Sequence, residues 1–95
     1  MNDPVAVLRA RIDELDRRIV DAVNARLAAV TELWQLKAEL GVERIDPDRE
    51  RLLREALARA NDGPLSAEGL DELVTELLAL TKRELDRRPP DQASA

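Results

Sequence analysis

The chain has 95 residues, a formal net charge of −5, 37% charged and 44% hydrophobic residues, and Trp34 as its only aromatic. That length makes one small domain with little capacity to fold over itself, so oligomerisation is expected, and the acidic balance without a stacking platform argues against a nucleic-acid partner. The absence of Cys and His removes thiolate and imidazole metal sites, Cys nucleophiles and His general bases.

Carboxylate-bound Mg²⁺ is the remaining metal option, and nothing in the pattern favours it; no cofactor is expected. The N-terminus has no basic region followed by an apolar core, and no run approaches the ~20 apolar residues of a membrane span. The expected address is the cytoplasm, with no membrane partner.

Val5 to Leu40 contains neither Gly nor Pro. Asp3 is a candidate cap, Pro4 suits the first helical position, and Gly41 suits a left-handed terminator. The stretch predicts a helix of roughly 54 Å, against ~26 Å for the width of a compact domain of this size. Much of it must be covered by another chain. Its apolar stripe reads Leu8, Ile12, Leu15, Ile19, Ala22, Arg26, Ala29, Leu33, Leu36 and Leu40, interrupted by one guanidinium. A stripe of that kind is expected to be buried. An uncompensated buried cation costs several kcal/mol, so Arg26 calls for either a protein carboxylate or an anionic ligand.

A second helix is expected from Asp46-Pro47, with Leu52, Leu53, Ala56 and Leu57, until Asn61-Asp62-Gly63-Pro64 stops it. A third follows the candidate cap Ser66, with Leu70, Leu73, Val74, Leu77, Leu78 and Leu85 on its apolar side. Thr81 and Glu84 fall where that seam should continue. Strand-like alternation and internal repeats are absent from the sequence. The expected fold is all-α, with long, short and medium helices over residues 1–86 and a disordered tail over 87–95.

Lys37 follows Arg26 by eleven positions, nearly three turns, which puts both cations on one face about 16 Å apart. Arg9 precedes Arg26 by about 25 Å and is a quarter-turn off that face, so it meets the same small ligand only from an antiparallel partner. Arg49 and Glu50 leave the first turn of the second helix, where free N–H groups favour an anion. Taken singly, most of these residues have plainer readings. Arg9, Lys37 and Arg49 suit solvated helix charges, Asp46 a cap, Glu50 a partner for Arg54, and Thr81 a bond back to its own helix.

Together the positions resemble the all-helical chorismate mutases, from Leu8 to about Leu85. The carriers are Leu8-Arg9-x-x-Ile12-Asp13-x-Leu15-Asp16-x-x-Ile19, then Arg26, Lys37, and Asp46-x-x-Arg49-Glu50-x-x-Leu53. The opening motif alone is weak, because amphipathic helices produce it easily; with the cations and the capped second helix it is specific. The resemblance implies an intertwined antiparallel homodimer converting chorismate to prephenate, the committed step towards phenylalanine and tyrosine. It further implies that Arg9 enters from the other chain and, with Arg26, holds the substrate carboxylates, that Arg49 helps position one of them, and that Lys37 donates to the ether oxygen. The Asp46 backbone and Glu50 would contact the ring hydroxyl.

Family members commonly follow a Ser or Thr on the third helix, here Thr81, with Gln or Glu one turn later, and that residue shares the ether oxygen with the lysine. This chain has Leu85 there, and Glu84, if protonated, is the nearest substitute. The same scaffold resembles isochorismate-pyruvate lyases and 4-amino-4-deoxychorismate mutases. A weakly active helical dimer dependent on a partner synthase of the same pathway is a further reading, and a purely structural antiparallel coiled coil is opposed by Arg26 in the seam.

Overall fold

A computed structural model of the chain describes residues 3–44 and 46–87. They form three helices, α1 (Pro4–Leu40), α2 (Pro47–Ala60) and α3 (Ala67–Asp86), with no strand among the described residues. The expected tail from 87 onwards lies outside the described residues except for Arg87, whose N–H caps the end of α3. The chain divides into two units, Met1–Leu33 and Trp34–Ala95.

The helix ends follow the local chemistry of the sequence. Asp3 accepts from the Val5 N–H through Oδ1 at 2.9 Å, and Pro4 opens α1 where no N–H is needed. At the other end Gly41 takes φ +69°, its N–H reaches the Ala38 carbonyl at 3.3 Å, and the Val42 N–H reaches the Lys37 carbonyl at 2.9 Å. These two bonds form a Schellman cap around a left-handed glycine. Nothing stands within 4 Å of a Cβ built on Gly41, so Gly41→Ala is expected to cost only the backbone strain, about 1–2 kcal/mol. Urea denaturation at fixed chain concentration measures it; an unchanged midpoint would contradict the role given to Gly41.

Asp46 caps α2 by accepting from the Arg49 N–H at 3.3 Å, and Ser66 caps α3 by accepting from the Gly69 N–H at 3.0 Å. Between them, Asn61 ends α2 and its Nδ2 donates to the Leu65 carbonyl at 2.9 Å, tying the turn together.

In the first unit the helix is exposed through residues 4–22, including Leu8, Ile12, Leu15 and Ile19, each about half accessible or more. Further along the first unit, the covered side chains are Val23, Arg26, Leu27, Val30 and Thr31, with Leu27 buried at 8% exposure. Leu33, Leu36 and Leu40 are exposed as well, so within one chain the stripe read in the sequence is uncovered except at Arg26. In the second unit Trp34 and Lys37 are partly covered.

In the second unit α2 packs on α3. Leu53 and Leu57 are partly covered on α2, as are Leu70, Leu77, Leu78 and Leu85 on α3, while Val74 and Thr81 are buried. Leu73, expected on the apolar side, is exposed. Thr81 does continue the seam: its hydroxyl donates to the Leu77 carbonyl at 2.7 Å, the back-bond to its own helix by which a hydroxyl is tolerated in a core.

Candidate active site

The residues singled out by the sequence fall into separate local settings. Arg9 and Arg26 belong to the first unit. Arg9 lies on the exposed part of α1, whereas Arg26 is half-buried beside Leu27. The other candidates belong to the second unit.

Lys37 is half-buried in the last turn of α1. Its backbone carbonyl is held by the Schellman bond, and its Nζ donates to the Arg44 carbonyl at 3.3 Å. The Arg44 guanidinium stacks on Trp34, 4.1 Å from the ring centroid. After Gly41 turns the chain, this cation–π contact holds the returning segment over the turn that carries Lys37. An ammonium has three donors, so one neutral carbonyl leaves it capacity for an anion.

At the start of α2, Asp46, Arg49 and Glu50 come together on one turn, all exposed. One of the anion-attracting N–H groups of that turn is already engaged by the expected cap. Asp46 occupies the Arg49 N–H, and Asp48 and Glu50 add negative charge to the same turn. An external anion would be held there by the Arg49 side chain more than by the helix end. Glu50 pairs with Arg54 at 3.2 Å, the expected i,i+4 partner. Arg54 also reaches α3, donating to Asp71 Oδ1 at 2.5 Å and Thr75 Oγ1 at 3.1 Å.

At the far end of α3, Glu84 and Leu85 are half-buried. The Glu84 carboxylate is bonded to Arg87, so it can serve elsewhere only by leaving that ion pair. The Thr81 hydroxyl has a single proton, committed to Leu77.

Two open depressions border α2. One, about 350 Å³, is lined by Pro47, Glu50, Arg51, Arg54 and Glu55; the other, about 280 Å³, lies between α2 and α3 around Arg54, Ala58, Leu70 and Val74. Glu50 is the one predicted site residue lining either.

Residues 8–85 match the family profile described as chorismate mutase type II. The chain belongs to that family. A bifunctional chorismate mutase/prephenate dehydratase of Stutzerimonas stutzeri is 29% identical over 82 residues, covering 81% of this chain and 22% of the relative. A chorismate mutase of Methanocaldococcus jannaschii is 27% identical over 59 residues, covering 62% of this chain and 60% of the relative. The chain thus spans less than two thirds of either curated relative's length.

Two solved forms of chorismate mutase from Thermus thermophilus share the family fold. Form I superposes with a TM-score of 0.78 at 29% identity, covering 83% of this chain and 99% of that one. Form II gives 0.82 at 28% identity, covering 90% and 98%. The three-helix, all-α architecture expected from the sequence is the architecture of these relatives.

Two features of this unit carry little signal in the sequence. The Arg44–Trp34 stack had no signal beyond an aromatic residue before a helix end and an Arg after it. The Glu50–Arg54 spacing was legible, but the extension to Asp71 and Thr75 depends on how α2 and α3 pack.

Proposed function

We propose that the protein is a chorismate mutase, catalysing the intramolecular rearrangement of chorismate to prephenate in the route to phenylalanine and tyrosine. The observation that carries this reading is the family match over residues 8–85, which includes every cation of the candidate site. The chorismate mutase names of the relatives and solved structures support chorismate over isochorismate or an aminated analogue.

In this proposal the working form is an intertwined antiparallel homodimer in the cytoplasm. Support comes from the uncovered apolar residues of α1, Leu8, Ile12, Leu15 and Ile19, which need a partner surface. No helix among the described residues is long and apolar enough to cross a membrane. Joining of the mutase to a prephenate dehydratase in the Stutzerimonas stutzeri relative supports a pathway enzyme as a further partner.

The substrate is a dianion. Arg26, with Arg9 from the other chain, clamps its carboxylates by charge-assisted bonds, and Arg49 helps position one of them. Lys37 donates to the ether oxygen. The Asp46 backbone and Glu50 meet the ring hydroxyl, and Thr81 lines the wall near the ether. The reaction is pericyclic: the ether C–O bond breaks as a C–C bond forms within one molecule, so no nucleophile or general base is needed. Catalysis comes from holding the enolpyruvyl arm over the ring and from stabilising charge on the departing ether oxygen.

Glu84 supplies a second donor at that oxygen only when protonated and released from Arg87, and Leu85 supplies none. Leu85→Gln is therefore expected to raise kcat by on the order of 10- to 100-fold, the value of one restored donor. Steady-state kinetics check it; an unchanged or lower kcat would move the donor position away from Leu85 and towards Glu84.

The test of the function is loss of chorismate absorbance on adding purified protein, with prephenate identified as product. Absence of turnover, together with no thermal stabilisation by a dianionic transition-state analogue, overturns it.

A further inference from the structure

Arg54 is not among the positions that carry the family resemblance, yet among the described residues of the second unit its side chain has the most complete set of polar contacts. A guanidinium carries five N–H groups, and five acceptor contacts surround this one. Nε and one terminal nitrogen reach Glu50 Oε1 at 3.4 and 3.2 Å, and that terminal nitrogen also reaches Thr75 Oγ1 at 3.1 Å. The other terminal nitrogen reaches Asp71 Oδ1 at 2.5 Å and the Asp71 carbonyl at 3.5 Å. The side chain is 30% exposed, against 54% for Glu50 and 72% for Asp71.

An ordinary i,i+4 ion pair on a helix swings with its two long side chains and contributes little. Here the cation is fixed first to α3, through a carboxylate, a carbonyl and a hydroxyl. Glu50 is bonded to a group whose own orientation is set by tertiary structure. Both bonds to Glu50 fall on Oε1, which leaves Oε2 available to another donor. Asp71 supplies a second negative charge, so Arg54 is shared between two carboxylates and does not neutralise Glu50 alone.

We propose that Arg54 is a positioning residue: anchored to Asp71 and Thr75 on α3, it holds the Glu50 carboxylate in the orientation that receives the ring hydroxyl of the substrate. This rests on Glu50 being the acceptor for that hydroxyl. A lysine could not substitute, because its three donors radiate from one point and cannot span Glu50, Asp71 and Thr75 in a plane.

The test is a double-mutant cycle in the full-length protein. Arg54→Ala, Arg54→Lys and Asp71→Asn are each made in wild type and in Glu50→Gln, and kcat and KM are measured for each, with thermal denaturation alongside. In wild type, Arg54→Ala should lower kcat/KM about tenfold, mainly through KM, since the hydroxyl contact is present in both ground and transition states. Arg54→Lys should not rescue it, and Asp71→Asn should give a smaller loss in the same direction. In Glu50→Gln the same changes should alter kcat/KM by less than about twofold. A chorismate analogue with hydrogen in place of the ring hydroxyl should be turned over equally by wild type and Arg54→Ala.

Equal losses in both backgrounds, or an equal loss with the deoxy analogue, would show that Arg54 merely braces α2 on α3; that overturns this inference and leaves the mutase activity standing. If Arg54→Ala does not fold, Asp71→Asn supplies the same comparison. No chorismate turnover by wild type overturns the proposed function and the role of Glu50 with it.

Discussion

Replacing Lys37 with Ala is expected to lower kcat by on the order of 10³-fold while changing stability by about 1 kcal/mol or less. The two halves of that expectation come from the same local structure. The Lys37 carbonyl is locked into the Schellman cap by the Val42 N–H, so the backbone bearing the side chain is fixed by the helix terminus and Gly41. Its ammonium donates to a neutral carbonyl, that of Arg44, and not to a carboxylate. A charge left without an ionic partner contributes little to the fold beyond its favourable place in the last turn of a helix. In the proposed mechanism it serves an oxygen that becomes negative only as the ether bond breaks.

A donor whose interaction strengthens in the transition state acts on kcat more than on KM. Lys37→Arg should recover only part of the loss, because a planar guanidinium does not place its charge where a compact ammonium does. Rates measured at saturating chorismate, with circular dichroism to verify the helices, decide the matter. A Lys37→Ala enzyme within about tenfold of wild type would remove Lys37 from the chemistry.

The second expectation concerns two proteins that fail alone and work when mixed. Arg9→Ala and Arg26→Ala should each lose on the order of 10² to 10³-fold in kcat/KM, the usual consequence of removing one partner from a desolvated charge pair. After unfolding and refolding together at equal concentration, about half of the dimers contain one chain of each kind. If Arg9 acts across the dimer, one site in each such dimer has both arginines and the other has neither. The mixture then regains about a quarter of wild-type activity.

The exposure of α1 motivates this test. Arg9 stands on a part of the helix where Leu8, Ile12, Leu15 and Ile19 are uncovered, while Arg26 is half-buried further along. An isolated amphipathic helix is only marginally stable in water, and its stability comes from covering its apolar face. A second chain supplying that cover brings its own Arg9 with it. A refolded mixture as inactive as its parents would show that Arg9 does not act across the dimer.

Much of this was legible in the residues because it is decided within a few positions. Asp3-Pro4, Gly41, Asp46-Pro47 and Ser66 mark ends that the structure places within a residue of expectation, since caps and left-handed turns are made by the side chain or missing Cβ at the position itself. Glu50 with Arg54 and the back-bond of Thr81 are likewise contacts across one helical turn. What covers the apolar stripe of α1 was not legible. Leu8, Ile12, Leu15, Ile19, Leu33, Leu36 and Leu40 stay exposed within one chain, and cover for such a stripe depends on what lies against the helix.

The sequence by itself determined three helices, their ends, the spacing of Arg26 and Lys37 on one face, and, through the opening motif, these cations and Asp46-x-x-Arg49-Glu50 together, the family. Tertiary structure decided the contacts between segments that the turns bring together. Asp71 and Thr75 are 17 and 21 residues from Arg54, and Lys37 meets Arg44 only because the chain turns back at Gly41. Spacing along one helix is set by its pitch and can be read from a string of letters; contacts between segments depend on packing, and in this chain packing gave Arg54 its anchor on α3.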